Sequence, residues 1–298
     1  MGRKDLRKKI QEEVFFLDGA MGTQLISHGF GVGICTEYLN IEKPEVVLQI
    51  HQSYIEAGSD AVITNTFGAN SYSLKRHGHS DEVAKVNIAA AGIARRAAGE
   101  EKYVLGNIGP TGRMLEPFGD MTVAGCKKAF TEQARALADD GVDGFMIETM
   151  TDLNELAVAI TAVKTVCTLP VFASLAYDYG PKGFRTMMGV DVDSTVSQLV
   201  SLGVDAVGFN CGSLTLENYI QLASQYAKSL SKLGARVQLL AEPNAGLPEI
   251  EDGQAVYKVL PEDFAEAARK IHSAGVNIIG GCCGTGPEHI RAMVEKLR

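Results

Sequence analysis

Gly203-Val204-Asp205-Ala206-Val207-Gly208-Phe209-Asn210-Cys211 decides the fold. A glycine and a carboxylate open the stretch, a short apolar run follows, and a polar pair closes it. The opening recurs as Gly58-Ser59-Asp60, Gly141-Val142-Asp143 and Gly275-Val276-Asn277, each between a helical stretch and an apolar run. Glycine lacks a Cβ and is a natural left-handed stop at a helix end. Four instances of one turn chemistry point to one repeated strand–helix unit.

Working outward, strand-like runs fall at Val14–Ala20, Ala61–Phe67, Tyr103–Gly109 and Gly144–Met150. They continue at Val171–Tyr177, Ala206–Cys211, Val237–Glu242 and Asn277–Gly281. Each is followed by a stretch of helical period. Phe264, Ala267, Ala268 and Ile271 recur at i, i+3, i+4, i+7, as do Ile290, Met293, Val294 and Leu297. Eight such units in 298 residues predict an α/β fold of the closed parallel (β/α)8 TIM-barrel type, with a doubly wound open sheet as the alternative. No Pro/Gly/Ser-rich linker interrupts the chain, so residues 1–298 are expected to form one domain. In such barrels the site lies at the C-terminal ends of the strands. Those ends carry Asp18-Gly19, Asn107, Glu148, Asn210-Cys211, Glu242-Pro243-Asn244 and Cys282-Cys283.

The composition excludes other classes. Net charge is −8, which disfavours nucleic acid as the main partner because phosphate binding wants a basic face. The charges of residues 3–9 read as the solvated start of a helix, which could cap the barrel. No apolar run reaches the roughly 18 residues that span a bilayer, and no secretion signal follows the N-terminal charges. A cytoplasmic protein is expected, in which six cysteines more often bind metal or catalyse than pair.

Cys211 closes the sixth run, and Cys282 and Cys283 close the eighth. One strand separates these two ends in a barrel, so three sulfurs can converge at one mouth. Three soft donors favour zinc over magnesium or calcium, and three protein ligands leave a fourth position open for catalysis. Adjacent strand residues face opposite ways, so the chain must leave strand geometry for Cys282 and Cys283 to share an ion. Gly280, Gly281 and Gly284 permit that. The same glycine-rich loop could instead cradle a phosphate, and redox or inert thiols are a third reading. Cys35, Cys126 and Cys167 read as small buried hydrophobes. Arg185 reads as solvated surface.

These motifs resemble the homocysteine S-methyltransferase family over essentially the whole chain. The resemblance rests on Leu17-Asp18-Gly19-Ala20-Met21-Gly22-Thr23, Thr64-Asn65-Thr66-Phe67, Ile108-Gly109-Pro110-Thr111-Gly112 and Glu148-Thr149. It is completed by Gly208-Phe209-Asn210-Cys211, Glu242-Pro243-Asn244-Ala245-Gly246 and Gly280-Gly281-Cys282-Cys283-Gly284-Thr285. It implies zinc on Cys211, Cys282 and Cys283, with homocysteine as methyl acceptor and methionine as product. It implies that Asp18, Gly19 and Glu148 hold the amino-acid end, and that Asn244 is the fourth zinc ligand until substrate arrives. The Glu-Pro-Asn-Ala-Gly segment looks more like the homocysteine domain of cobalamin-dependent methionine synthase than like betaine or S-methylmethionine enzymes. That likeness implies methylcobalamin or a methylated corrinoid protein as donor. In that enzyme the barrel is followed by folate, cobalamin and activation domains, and no Asp-x-His-x-x-Gly segment of the cobalamin-binding kind occurs here. An excised domain, a stand-alone enzyme fed by a separate carrier, and a module that only docks a corrinoid protein all remain open.

Overall fold

The computed structural model describes residues 4–31, 33–251 and 254–298. Eight barrel strands are β1 (Phe15–Phe16), β2 (Ala61–Ile63), β3 (Tyr103–Ile108), β4 (Gly144–Met150), β5 (Val171–Leu175), β6 (Ala206–Asn210), β7 (Gln238–Glu242) and β8 (Ile278–Ile279). All pairings within this sheet are parallel, in the order β1-β8-β7-β6-β5-β4-β3-β2. The outer helices are α1 (Pro44–Ala57), α2 (Val83–Ala98), α3 (Val123–Asp139), α4 (Leu153–Val166), α5 (Val192–Ser201), α6 (Leu216–Leu233), α7 (Pro261–Ser273) and α8 (Pro287–Leu297). This is the expected TIM barrel. Several strands are shorter than their apolar runs, because the chain turns into the mouth before the run ends. Antiparallel pairs at Asp178–Gly180 with Gly183–Arg185, and at Glu249–Glu251 with Gln254–Val256, were not anticipated. Arg185 lies in the first of these, half exposed and 3.8 Å from Asp191.

β1 and β2 close the ring through individual bonds. Asp60 N donates to Phe16 O at 2.7 Å, and Phe16 N donates back to the Asp60 carboxylate at 3.1 Å. Higher up, Ile63 N donates to Asp18 Oδ2 at 2.9 Å, so a side chain replaces a ladder partner. The Asp60 device recurs. Asp143 N donates to Val104 O while its carboxylate accepts Val104 N, and Asp205 does the same with Val171. The four Gly turns all have positive φ, between 66° and 108°, and all enter even-numbered strands. Glycine therefore stops the helix, and the aspartate satisfies both backbone groups of a residue on the preceding strand.

Strand alternation explains the interior. Leu105, Met146, Phe172, Ala206 and Leu240 point inward and form the apolar plug of the barrel. A helix at Leu6–Glu12 seals the lower end, with Leu6 and Ile10 buried in that plug, which bears out the barrel cap. Burial of two such side chains is worth roughly 1.5–3 kcal/mol each. Two residues above Leu105, Met146, Phe172 and Leu240 stand Asn107, Glu148, Ser174 and Glu242, and Asn210 stands above Gly208. One periodicity thus makes the lower barrel oily and its top layer polar. Gly208 is required where β6 and β7 meet, since a Cβ there would lie 1.8 Å from Leu240 O.

His51 on α1 is fully buried, and neither ring nitrogen has a hydrogen-bond partner. Burial holds its pKa down at about 4. The unfolded chain therefore takes up a proton near pH 6.5 that the folded chain refuses until about pH 4. Stability should fall across that window by about 1.4 kcal/mol per pH unit from this group, on the order of 3 kcal/mol in all. Denaturant unfolding of wild type and His51→Leu at pH 7.5 and 5 should show a flatter pH slope for the variant; equal slopes would refute the assignment.

Candidate active site

Cys211 lies one residue beyond β6 with φ 54°, a left-handed conformation that a non-glycine residue adopts at a cost on the order of 1–3 kcal/mol. Its carbonyl accepts the Tyr219 hydroxyl at 2.8 Å, and its N–H donates to Glu242 O at 3.3 Å. Cys282 and Cys283 lie beyond β8, where the chain leaves strand geometry as their sharing of a site requires. Cys282 N donates to Pro243 O, Cys283 O accepts Ala245 N, and Thr285 Oγ1 donates to Cys282 O. The two cysteine loops are thus stitched to the segment after β7.

The sulfurs converge. Cys211 Sγ is 3.9 Å from Cys283 Sγ, Cys282 Sγ is 4.0 Å from Cys283 Sγ, and all three lie within 4.8 Å of one another. A disulfide needs about 2.05 Å, so these are free thiols. A tetrahedral ion with Zn–S bonds of about 2.3 Å has an S–S edge of about 3.8 Å. The trio fits such an ion. Cys283 is held down at about 3 by hydrogen bonds from the Cys211 and Cys282 thiols, with a further one from Tyr257. Cys211 accepts from Cys282 but is pushed up to about 11 by donating to Cys283 and by burial. Cys282 is raised by donating to Cys211 and Cys283 and by burial.

Asn244 is tied to the residue that follows Cys211. Its Nδ2 donates to Gly212 O at 3.0 Å, and its buried Oδ1 has no hydrogen-bond partner among the described residues. An acceptor left free in this way is chemically suited to be a hard ligand. Cys35, Cys126 and Cys167 do not join the cluster among the described residues.

A cavity of about 280 Å³ opens against the trio, lined also by Asp18, Gly19, Asn107, Glu148, Thr149 and Glu242. Asp18, Glu37, Glu148 and Glu242 are carboxylates, and no Lys, Arg or His is among its described lining residues. Burial pushes Asp18 up despite the Ile63 N–H, and the Glu148 charge adds to the effect. Burial likewise pushes Glu148 up to about 7, against a hydrogen bond from Asn107. Glu242 is raised by burial and by the charges of Glu148 and Asp18, and its Oε2 has no partner. Gly19 is needed for close packing, since a Cβ there would be 2.8 Å from Thr285 Oγ1 and 2.9 Å from Tyr54.

The structure thus brings Cys211, Cys282, Cys283, Asp18, Gly19 and Glu148 to one cavity, while Asn244 is outside its lining and bonded to Gly212. The sequence placed Asn107, Asn210 and Glu242 among the polar strand ends and Thr149 in a motif without giving any of them a role, and it did not single out Tyr257. The signal for Asn107 and Glu242 was the inward register two residues above a buried apolar residue. Tyr257 carries no such signal; it reaches Cys283 from beyond the second antiparallel pair, packed over Gly284 where a Cβ would be 2.1 Å from its Cγ.

The sequence model of the family described as homocysteine S-methyltransferase matches residues 15–297. The chain belongs to that family. Relatives include methionine synthases of Mycobacterium tuberculosis, at 36% identity, and Mycobacterium leprae, at 35%. Each match covers 98% of this family member but 25% of the relative, so the chain spans about a quarter of their length. Among solved structures, the Escherichia coli homocysteine methyltransferase MmuM in its metallated form superposes with a TM-score of 0.80 at 21% identity, covering 98% of this chain and 100% of that one. Its oxidised form gives the same score and its apo form 0.71. At that identity the likeness speaks to the fold.

Cobalt(II) added to the reduced protein should give thiolate-to-metal charge-transfer absorbance that saturates at about one ion per chain. Cys283→Ala should lower both the absorbance and the affinity; an unchanged titration would remove the trio as a metal site.

Proposed function

We propose that this chain transfers a methyl group to the thiol of L-homocysteine, giving methionine, with zinc held by Cys211, Cys282 and Cys283. The carrying observation is a cavity lined by a sulfur trio and by carboxylates, with no cationic side chain among the described lining residues. Homocysteine offers the complementary pair: a soft thiol at one end and an ammonium at the other. Family membership supports the same reading.

Bound by the trio, zinc would supply Lewis acidity, under which a coordinating thiol is deprotonated outright. Asn244 Oδ1 would serve as fourth ligand before substrate arrives. Glu148 and Asp18 hold the ammonium, and the orphaned Glu242 Oε2 provides a further acceptor facing the same charge. Gly19 lets the Asp18 segment pack closely against Tyr54 and Thr285 beside the amino-acid end. The chain's residues thus orient the sulfur toward the mouth and keep other molecules out. The reaction is an in-line displacement: the sulfur–methyl bond forms while the bond from methyl to the donor breaks. Alignment of the partners contributes several kcal/mol. A bulky donor must approach from the mouth, because the lower barrel is packed with apolar side chains.

We further propose a methylated corrinoid as donor, presented by a separate protein or domain, in a cytoplasmic setting. The methionine synthase relatives support this, as does the Glu242-Pro243-Asn244-Ala245-Gly246 segment. A phosphate-binding role is poorly supported. In the strand-eight loop, the N–H groups of Gly280, Gly281, Cys282, Gly284, Thr285 and Gly286 already donate to protein acceptors. The adjacent carboxylates would also repel an anion.

Zinc-loaded protein should release about one proton per homocysteine bound. Glu148→Gln should weaken homocysteine roughly 10- to 100-fold, the worth of a charge-assisted hydrogen bond. Cys211→Ala that kept full zinc and full activity would defeat the proposal. A donor panel of methylcobalamin, methylated corrinoid protein, S-methylmethionine and betaine, at fixed homocysteine, tests the donor.

A further inference from the structure

Asn210 is the last residue of β6 and is fully buried. Its Oδ1 accepts the Thr149 backbone N–H at 2.8 Å and the Ser174 hydroxyl at 2.7 Å. A backbone N–H can only donate, so the orientation of the carboxamide is fixed and Nδ2 faces the other way. There it meets three acceptors: Thr149 Oγ1 at 2.7 Å, Glu148 Oε2 at 2.8 Å and Cys282 Sγ at 3.8 Å. An amide has two hydrogens for those three groups. One N–H must therefore be shared, and a Glu148 oxygen and a Cys282 sulfur lie in reach of the same nitrogen.

The surrounding backbone points to the same centre. Thr149 and Cys211 have φ of 58° and 54°, and they are the non-glycine residues with positive φ among the described residues. One donates its N–H to the Asn210 carboxamide; the other follows Asn210 in the chain. The unusual conformations on both sides thus converge on this side chain.

Resting on the function proposed above, we infer that Asn210 is a positioning residue that joins the two ends of the site. Its carboxamide orients Glu148 toward the amino-acid end of homocysteine and restrains Cys282 at the metal end. Loss of its N–H donors then affects amino-acid recognition and metal retention together. Ser174 belongs to the same device, because its hydroxyl occupies one of the two Oδ1 acceptor positions that fix the carboxamide.

The test compares zinc-loaded wild type with Asn210→Asp and Ser174→Ala. Asn210→Asp keeps the shape and removes the donors; Ser174→Ala removes one anchor and leaves the carboxamide in place. One readout is zinc release to a chromogenic chelator. The other is the preference for L-homocysteine over 1-propanethiol in calorimetry, which isolates the amino-acid end. In Asn210→Asp, zinc release should rise at least about tenfold and the preference should fall about tenfold, as for other groups that hold metal ligands in place. Ser174→Ala should shift both in the same direction by a smaller factor. A purely structural role would lower the thermal midpoint of both variants and leave these two readouts within twofold of wild type, and that result overturns the inference. Movement of only one readout in Asn210→Asp also overturns it. Wild type that holds no zinc and takes up no homocysteine overturns the underlying function, and this inference with it.

Discussion

Negative charge concentrated where water is scarce is the constraint on which this molecule turns. Three sulfurs lie within 4.8 Å of one another, and four carboxylates, Asp18, Glu37, Glu148 and Glu242, line the same cavity without a basic lining residue among those described. Like charges this close cannot all ionise in a poorly solvated space. Burial raises Asp18, Glu148 and Glu242, and the Asn210 amide donates to Glu148 to ease its charge. A dication at the sulfur wall and an ammonium at the carboxylate wall relieve that frustration. The site is complementary to what it would bind because it is uncomfortable without it.

The barrel makes such a site attainable. Strand alternation fills the lower interior with Leu105, Met146, Phe172 and Leu240, then places Asn107, Glu148, Ser174 and Glu242 one step higher on the same faces. Paired parallel strands lie beneath these groups. Among the described residues, Thr149 and Cys211, both beside Asn210, are the non-glycine residues with positive φ. Stability and chemistry occupy opposite ends: the Gly-x-Asp corners and the Leu6–Glu12 plug below, the sulfurs and carboxylates above.

The sequence was most informative where chemistry and backbone share a local rule. Glycine at helix ends, the helical period and the alternation of strands with helices led to the barrel. Cys282-Cys283 between glycines, with Cys211 one strand away, led to the sulfur trio. Strand ends were overextended because residues of β propensity continue into the mouth after pairing stops, Thr64 to Phe67 after β2 and Ala176-Tyr177 after β5. The aspartates of the corners were read as turn residues, although they bond across to a neighbouring strand, a long-range fact. Glu242 was visible in its motif, yet its lack of a partner depends on what surrounds it in space. Tyr257 reaches Cys283 from a segment with no periodic signal at all.

Asp18 forms the wall of the cavity and is also a stitch across the barrel's weakest seam, where its carboxylate takes the Ile63 N–H that no strand partner accepts. A residue with both duties is hard to retune. Reshaping this wall for a longer or differently charged amino acid would loosen the ring that holds every other wall in register. Under the proposed function, variation in substrate would be more readily accommodated on the loops that rim the mouth, and the seam would keep the amino-acid end of the ligand fixed while the donor side diverged.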